Sequence, residues 1–232
     1  MTDGITSHNS ASGVHDDDDA GIADGPTVVD ERTLRILRAA IGLAEDGGFQ
    51  AVRLRDVAQV SGVALGTVYK RFRSKEDLLI GVISHELAAV RERLTLEVTG
   101  DDRLARLIAI FALLTDFLCD RPNFGRAVIR SAAAGEQAMA ERLVRFHGAL
   151  AEVVVAALLT GEARPPTPAE ILVVSVLQRV WFSLLVGWAS GIQDRAAILD
   201  ELTSAAALMI HGVDRVPEGA ISPPAGRGGR SR

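Results

Sequence analysis

Apolar residues recur at three- and four-residue intervals along most of the chain between residues 27 and 215. The first such stripe consists of Leu34, Leu37, Ile41 and Ala44. Few stretches alternate with the period of two that is typical of β-strands. Glycine or proline interrupts the stripes after about 15–25 residues, at the spacing expected for helix ends. The pattern therefore predicts an all-α fold.

Helix start and stop signals divide this pattern into segments. Ser74 followed by Asp77 is typical of a capping box, and Arg121-Pro122 interrupts a helix. The first four predicted helices cover residues 33–44, 54–61, 64–72 and 74–98. The fifth is capped by Asp101 or Asp102 and ends near residue 120, and a short sixth helix ends at 134. The last three predicted helices cover residues 136–160, 169–190 and 194–211.

Composition excludes several classes of protein. The chain has 232 residues, of which 48% are hydrophobic, enough to build a substantial core. Cys119 is the only cysteine, so no intramolecular disulfide forms, and a cytoplasmic protein is favoured. The sequence has neither the Cys/His spacing of a structural zinc site nor a glycine-rich nucleotide-binding fingerprint. We therefore expect no metal and no cofactor.

Charge is distributed unevenly along the chain, whose net charge is −5. Residues 1–26 hold six aspartates without Lys or Arg, and they lack the apolar core of a signal peptide. They are expected to form a disordered acidic tail, and residues 216–232 a second disordered tail. Between the tails we expect two domains, at residues 27–79 and 80–215.

The segment at residues 54–72 has the composition of a helix-turn-helix. The first helix needs a small residue where the second helix crosses it closely, and Ala58 provides one. The turn needs a residue that tolerates positive φ, and Gly62 follows four positions later. The two helices are expected to face each other through Val57, Val63 and Val68. The alternative is an ordinary helical hairpin.

Residues 36–79 resemble the N-terminal domain of the TetR family of transcriptional repressors. The matching pieces are Ile36-Leu37-x-Ala39-Ala40, Gly47-Gly48-Phe49, Arg55-Asp56-Val57-Ala58, Gly62-Val63, Gly66-Thr67-Val68-Tyr69, Phe72 and Ser74-Lys75-Glu76-Asp77-Leu78-Leu79. The helical remainder resembles that family's ligand and dimer domain in length and order. The resemblance implies a cytoplasmic homodimer that binds a palindromic double-stranded operator and is released by a small molecule.

The predicted helix at residues 64–72 is the expected recognition helix. Val68 and Phe72 are four residues apart and face the core, so the opposite side of the helix is free to meet DNA. Gly66 lets the backbone approach DNA closely, and Thr67 can donate to a phosphate or touch a thymine methyl group. The side chains expected to face DNA are Leu65, Gly66, Thr67, Tyr69 and Lys70, of which the last two can reach phosphates.

Further basic residues flank the recognition helix. Lys75 is expected at the start of the next helix, where both its charge and the helix N-terminus suit a phosphate. Arg53 stands where the family commonly has a phosphate-contacting threonine, and arginine offers more charge and a longer reach. Arg32 and Arg35 either contact the flanking minor groove or are solvated.

Residues 80–215 show no paired catalytic constellation, so an enzyme is the less favoured class. Their apolar content favours a ligand cavity with a few orienting polar groups. The expected lining is Phe111, Thr115, Met139, Phe146, His147, Gln178 and Trp181, with Phe117, Phe182 and Trp188 as further large side chains. Each aromatic residue is alternatively a core residue. The stretch 121–188 resembles the family's steroid-catabolism repressors, which implies a large apolar or acyl-CoA-like inducer.

The last two long helices are the expected dimer interface. A four-helix bundle, with two helices from each subunit, buries faces as apolar as theirs. The predicted interface residues are Leu172, Val176, Val180 and Leu184 on the first helix, with Gly187 beside them, and Leu199, Leu202, Ala206 and Met209 on the second.

The sequence thus favours a homodimeric, ligand-released transcriptional repressor that is not an enzyme. A ligand-independent helix-turn-helix regulator or activator remains the first alternative, and a helical enzyme the second. Residues 171–192 are long and apolar enough to span a bilayer. Because Gln178-Arg179 lies at their centre, we expect a buried helix and no membrane partner.

Overall fold

The computed structural model describes residues 30–97, 102–134, 139–213, 215 and 220. These residues form nine α-helices and no β-strand, as the all-α prediction requires. The helices are α1 (Glu31–Ala51), α2 (Leu54–Ser61), α3 (Leu65–Arg71), α4 (Lys75–Glu97), α5 (Arg103–Cys119), α6 (Pro122–Ala133), α7 (Ala140–Leu158), α8 (Pro168–Ala189) and α9 (Arg195–Val213). The predicted tails, apart from Ala220, and the predicted start of α7 near 136 lie outside the described residues.

The first helix is longer than its apolar stripe predicts. It was expected to stop before Gly47-Gly48, but α1 continues to Ala51 across a kink at Gly48, where φ is 64°. Glycine adopts positive φ without a steric penalty, so the stop signal bends this helix instead of ending it. The buried face of α1 consists of Ile36, Leu37, Ala39, Ala40 and Ala44.

The second and third helices form the predicted helix-turn-helix. Gly62 ends α2 in the left-handed conformation, with φ at 65°, and its N–H donates to the carbonyl oxygen of Ala58. Val57 and Val68 are fully buried between the helices. The positive φ and the buried valines of this turn are therefore confirmed.

The fourth helix begins with the predicted cap and leads out of the helix-turn-helix. The Ser74 Oγ accepts from the N–H of Asp77 at 3.1 Å, and the Asp77 Oδ2 accepts from the N–H of Arg73 at 2.9 Å. The expected domain boundary after residue 79 falls inside α4, which packs against α1, α6 and α7. A single helix thus connects the helix-turn-helix with the helices that follow.

The remaining helices pack around an apolar core, and their ends follow local signals. Asp102 caps α5 by accepting from the N–H of Leu104 at 3.0 Å. Pro122 occupies the first turn of α6, where its missing N–H costs nothing. Thr167 forms a capping box with Glu170, and α8 therefore starts at Pro168, one residue earlier than expected.

Helix α8 is the most apolar element among the described residues. It is the one described helix that meets the length and composition of a membrane span, with a mean hydropathy of 1.8. In the fold it packs against α6, α7 and α9. Trp181, Leu185 and Trp188 are buried there, and a core helix packed in this way has the same composition as a membrane span.

Candidate DNA interface and ligand cavity

Helix α3 has one buried side and one side that faces solvent. Val68 and Phe72 point into the core. Tyr69 is 54% exposed, although aromatic side chains are usually buried, and Lys70 beside it is also exposed. At Gly66 no heavy atom lies within 4 Å of the position that a Cβ would occupy. The exposed residues of α3 are therefore Gly66, Tyr69 and Lys70.

The other two predicted DNA-contacting residues of α3 are only half exposed. Leu65 lies in the first turn of the helix, and Thr67 lies one residue before the buried Val68. The apolar Leu65 side chain contributes contact area at the edge of the face, and the Thr67 hydroxyl remains available to a phosphate.

Exposed cationic side chains lie before α2, on α2, on α3 and just after α3. Arg53 precedes α2 in extended backbone and makes no capping hydrogen bond. The exposed cations of the region are Arg53, Arg55, Lys70 and Arg73, and no ion pair of the described residues involves any of them. Unpaired, hydrated cations beside an exposed helix are suited to binding phosphates. We call α3 with these four cations the cationic face.

Lys75 has a different environment from these four cations. Its Nζ lies 3.8 Å from the centroid of the Phe49 ring, and the guanidinium of Arg130 lies 4.4 Å from the same centroid. Phe49 follows the kink of α1, and Arg130 belongs to α6. Lys75 is half-buried against Phe49 of α1. Because Arg130 of α6 packs on the same ring, Phe49 connects the start of α4 with α6 through two cation–π contacts, which the sequence did not indicate.

An apolar cavity of about 40 Å³ lies between five helices, α4 to α8. Four of the residues expected to line a ligand pocket, Phe146, His147, Gln178 and Trp181, are in its wall. Phe117 and Phe182, expected as further large side chains, also contribute to the wall. The remaining lining was not predicted and consists of Ile80, Ile83, Leu87, Leu114, Leu118, Val128, Ile129, Ala132, Leu150 and Leu185.

Three residues that were predicted to line the cavity lie elsewhere. Phe111 and Thr115 are fully buried on the side of α5 behind Trp181, and the ring centroids of Phe111 and Trp181 are 5.6 Å apart. The Trp181 Nε1 donates to the Thr115 Oγ1 at 2.9 Å. Met139 precedes α7 and is buried outside the cavity. Both sides of α5 are apolar, so its sequence does not distinguish the cavity side from the core side.

Gln178 and His147 are the polar residues of the cavity wall. Gln178 is 6% exposed, and its Nε2 has no hydrogen-bond partner. His147 is partly exposed at the edge of the cavity. Burial lowers the pKa of His147, and the charge of Arg179 lowers it further. No carboxylate, ammonium or guanidinium group contributes to the wall.

A contact from α7 connects the cavity to the helix-turn-helix. The Arg142 Nε lies 2.5 Å from the Asp77 Oδ1, and its guanidinium lies 5.3 Å from the centroid of the Phe72 ring. Asp77 caps α4, and Phe72 ends α3. Arg142, Phe146 and Leu150 are spaced by four residues and share one side of α7. The same side of α7 thus lines the cavity and contacts Phe72 and Asp77, at the end of α3 and the start of α4.

The predicted dimer residues of α8 and α9 fall into two groups. Leu184, Leu202 and Ala206 are buried inside their own protomer, where α9 packs against α5 and α8, so they offer almost no surface to a partner. The other five, Leu172, Val176, Val180, Leu199 and Met209, are half-buried or exposed. Leu208, which the sequence analysis missed, is 79% exposed. Stripes on a helix that is apolar on both sides do not separate its inner face from its outer face.

A helix-turn-helix with an unpaired cationic face, joined by one helix to a bundle with an apolar cavity, defines a class of DNA-binding regulators. Residues 36–82 match the family described as bacterial regulatory proteins, tetR family. The HTH-type transcriptional repressor KstR of Rhodococcus jostii is 29% identical over 188 residues, covering 81% of this chain and 87% of KstR. An uncharacterized HTH-type transcriptional regulator of Mycobacterium bovis, Mb2274c, is 31% identical over 184 residues, covering 74% and 90% of the two chains.

Solved structures share the fold. A TetR transcriptional regulator from Rhodococcus sp. RHA1 superposes with a TM-score of 0.71 at 23% identity, covering 77% of this chain and 95% of that one. Thermus thermophilus FadR, a repressor solved in complex with lauroyl-CoA, superposes with a TM-score of 0.62 at 21% identity, covering 85% and 100% of the two chains. The chain belongs to the TetR family of transcriptional regulators, as its sequence motifs predicted.

Proposed function

We propose that the protein is a homodimeric repressor that binds a palindromic operator through the cationic face and is released by a small, largely apolar ligand in the cavity. The observation that carries the DNA-binding step is the set of unpaired cations beside the exposed Tyr69 and Lys70. The proposed DNA contacts are those expected from the sequence, namely Arg53, Leu65, Gly66, Thr67, Tyr69 and Lys70 on the cationic face and Lys75 beside it at the start of α4. Regulation in the cytoplasm, without a cofactor or catalysis, belongs to the same proposal.

Salt dependence tests the DNA-binding step. Two protomers with three or four phosphate-contacting cations each give about six to eight charge contacts, so log K should fall with log salt at a slope of about −5 to −7. A palindromic duplex selected from random DNA serves as the operator. Lys70→Ala should weaken every duplex similarly and flatten the slope, whereas Arg145→Ala, on the exposed side of α7, should not. A slope near zero for the wild type would contradict the proposal.

Dimerisation is proposed to use the exposed side of α8 and α9, and Leu208 supports this. An apolar side chain that is 79% exposed fits a surface covered by a second subunit. Leu208→Arg should yield a monomer at micromolar concentration and weaken operator binding more than 100-fold, because each half-site then binds alone. Val144→Arg is the control, since Val144 is 65% exposed on α7. A dimeric Leu208→Arg protein in sedimentation would place the interface elsewhere.

Ligand release is proposed to proceed through α7. The cavity of about 40 Å³ is smaller than the 300–1,000 Å³ typical of ligand pockets, so a ligand must displace wall side chains. Phe146 is only half-buried and lies four residues after Arg142. Displacing Phe146 moves this side of α7 and with it the contact between Arg142 and Asp77. The C-terminal end of α3 then shifts, and the affinity of the protein for the operator falls.

The coupling can be measured with lauroyl-CoA, the ligand of Thermus thermophilus FadR, as the first probe. A 100-fold weakening of operator binding corresponds to about 2.7 kcal/mol of coupling, and operator DNA must weaken lauroyl-CoA binding by the same factor. Arg142→Ala should retain lauroyl-CoA binding and reduce the coupling below tenfold, whereas Arg145→Ala should retain both. Full release from the Arg142→Ala protein would exclude this route. An absence of release by any lipophilic acid or acyl-CoA would favour the ligand-independent regulator.

A further inference from the structure

A second and larger depression lies where the kinked end of α1 meets α6 and the last turn of α8. Its volume of about 610 Å³ falls in the range of about 300–1,000 Å³ that is typical of small-molecule sites. It runs from Gly48 past Arg126 and Arg130 to Ala189, and we call it the junction groove. Ile129 is the one residue that belongs both to its lining and to the lining of the apolar cavity, so the two are separate sites.

Two arginines give the junction groove its charge. Arg126 and Arg130 are both exposed and lie one turn apart on α6, so they share one side of that helix. No aspartate or glutamate of the described residues lines the groove, and neither guanidinium makes an ion pair with a described residue. Like charges at this spacing repel each other. The groove therefore has a positive charge that a bound anion would neutralise.

Aromatic rings hold both guanidiniums in place. The guanidinium of Arg126 lies 5.4 Å from the centroid of the Trp188 ring, and that of Arg130 lies 4.4 Å from the centroid of the Phe49 ring. A guanidinium that packs on an aromatic face keeps the N–H donors of its edge free for an anion. Because the side chains are already positioned, they lose less conformational freedom when the anion binds.

The number of donors favours a phosphate over a carboxylate. A phosphate monoester has three acceptor oxygens and a charge between about −1.5 and −2 at pH 7. Two guanidiniums can each bind such a group through two parallel hydrogen bonds. A carboxylate has two oxygens and a single charge, so it would leave one of the two arginines without a counter-charge.

The rest of the junction groove is mostly apolar. The Phe49 ring, Ala127, Ala133, Val186 and Ala189 line it beside the two arginines. Inorganic phosphate makes no use of this surface, whereas an organic group attached to the phosphate gains free energy by covering it. The groove is therefore suited to a molecule with an anionic end and an apolar body.

We propose that the junction groove binds a phosphate monoester with a mainly apolar organic part, its phosphate held between Arg126 and Arg130. This site is additional to the proposed ligand cavity and does not depend on it. Duplex DNA is the other phosphate-bearing partner to consider. The cationic face belongs to the segment from Arg53 to Arg73, whereas the groove arginines belong to α6, which carries none of the proposed DNA contacts.

The test measures binding of phenyl phosphate by calorimetry, with inorganic phosphate at the same ionic strength as the reference. Phenyl phosphate should bind the wild type about tenfold more tightly or better, because its ring covers the apolar part of the groove. Arg126→Gln and Arg130→Gln should each weaken its binding by about tenfold or more, because each removes charged donors. Arg145→Gln changes an exposed arginine of α7 and should bind as the wild type does.

A third variant separates the groove from its charge. Ala133 is exposed and lines the groove three residues after Arg130. Ala133→Trp keeps both arginines and fills part of the space, so it should also weaken phenyl phosphate binding. Because all three substituted residues are exposed, the Tm of each variant should stay close to that of the wild type.

Three results would overturn the inference and leave the proposed repressor and its apolar cavity standing. Equal binding of the two phosphates, or wild-type binding by both arginine variants, would show adsorption of anions without a site. A loss of phenyl phosphate binding in Lys70→Gln, with none in the arginine variants, would place the anion on the cationic face. Weaker operator binding by Arg126→Gln and Arg130→Gln without phenyl phosphate, with a flatter salt slope, would show that these arginines contact DNA.

Discussion

On the cationic face Tyr69 and Lys70 extend into solvent, whereas in the cavity Gln178 and Trp181 are enclosed by the surrounding helices. The first region depends on charges that have no partner in the protein. The helices around the cavity instead pair their buried charge, in the cluster that Glu170 forms with Arg103 and Arg164. A residue of the cationic face can therefore change DNA affinity alone, while a residue of the cavity changes stability as well.

Trp181→Ala should have the largest effect on stability. Trp181 is both a wall residue and a core residue that donates to Thr115 and packs against Phe111. Truncating a buried tryptophan costs about 3–5 kcal/mol, so urea denaturation should show that loss, with a matching fall in Tm. Tyr69→Ala, which removes an exposed ring, should change stability by less than about 0.5 kcal/mol and still weaken operator binding. Equal losses of stability would contradict the distinction between the two regions.

The second largest expected effect on stability comes from removing the buried charge of Glu170, which is 3% exposed. Hydrogen bonds from the Arg164 guanidinium, and then from Thr167, lower the pKa of Glu170 from 4.5 to about 2. A lowered carboxyl pKa stabilises the folded state above pH 4.5, and this contribution disappears as the pH falls towards 2. Glu170→Gln should therefore lose about 2–3 kcal/mol at pH 7, and the difference from wild type should shrink between about pH 5 and pH 2. A pH-independent difference in unfolding free energy would show that packing, and not charge, dominates.

The two regions also differ in how well the sequence specified them. The helix-turn-helix follows from 19 consecutive residues, because Gly62 and the three valines that pack the two helices together lie within this short segment. The cavity joins residues as distant as Ile80 and Leu185. Periodicity showed that α5 and α9 are apolar, but α5 is apolar on two buried sides and α9 carries apolar residues on its exposed side as well, such as Leu208. Phe111 was therefore expected in the wall and Leu202 at the dimer surface, although packing of the whole bundle places both in the core.

Gly125→Ala tests how tightly α6 packs against α5 in the helical bundle. A Cβ at Gly125 would lie 2.3 Å from the carbonyl oxygen of Leu118 and 3.0 Å from the Trp188 ring. Because the nearest atom belongs to the backbone at the end of α5, α6 must shift, and forced packing of this kind costs about 1–3 kcal/mol. The loss should appear in urea denaturation. An unchanged midpoint would show that α6 moves easily relative to α5.

Gly66→Ala is the matched substitution on the cationic face and should have the smallest effect on stability, with the opposite sign. Apart from its own helix backbone and chain neighbours, no protein atom lies within 4 Å of the added Cβ, and alanine is favoured over glycine inside a helix by about 0.5–1 kcal/mol. The isolated protein should therefore become slightly more stable. Operator binding should nevertheless weaken, because the methyl group occupies the place where the α3 backbone approaches DNA. Measuring Tm and operator affinity on the same preparation separates the two effects. If both rise together, Gly66 does not lie against DNA, and the orientation proposed for α3 is wrong.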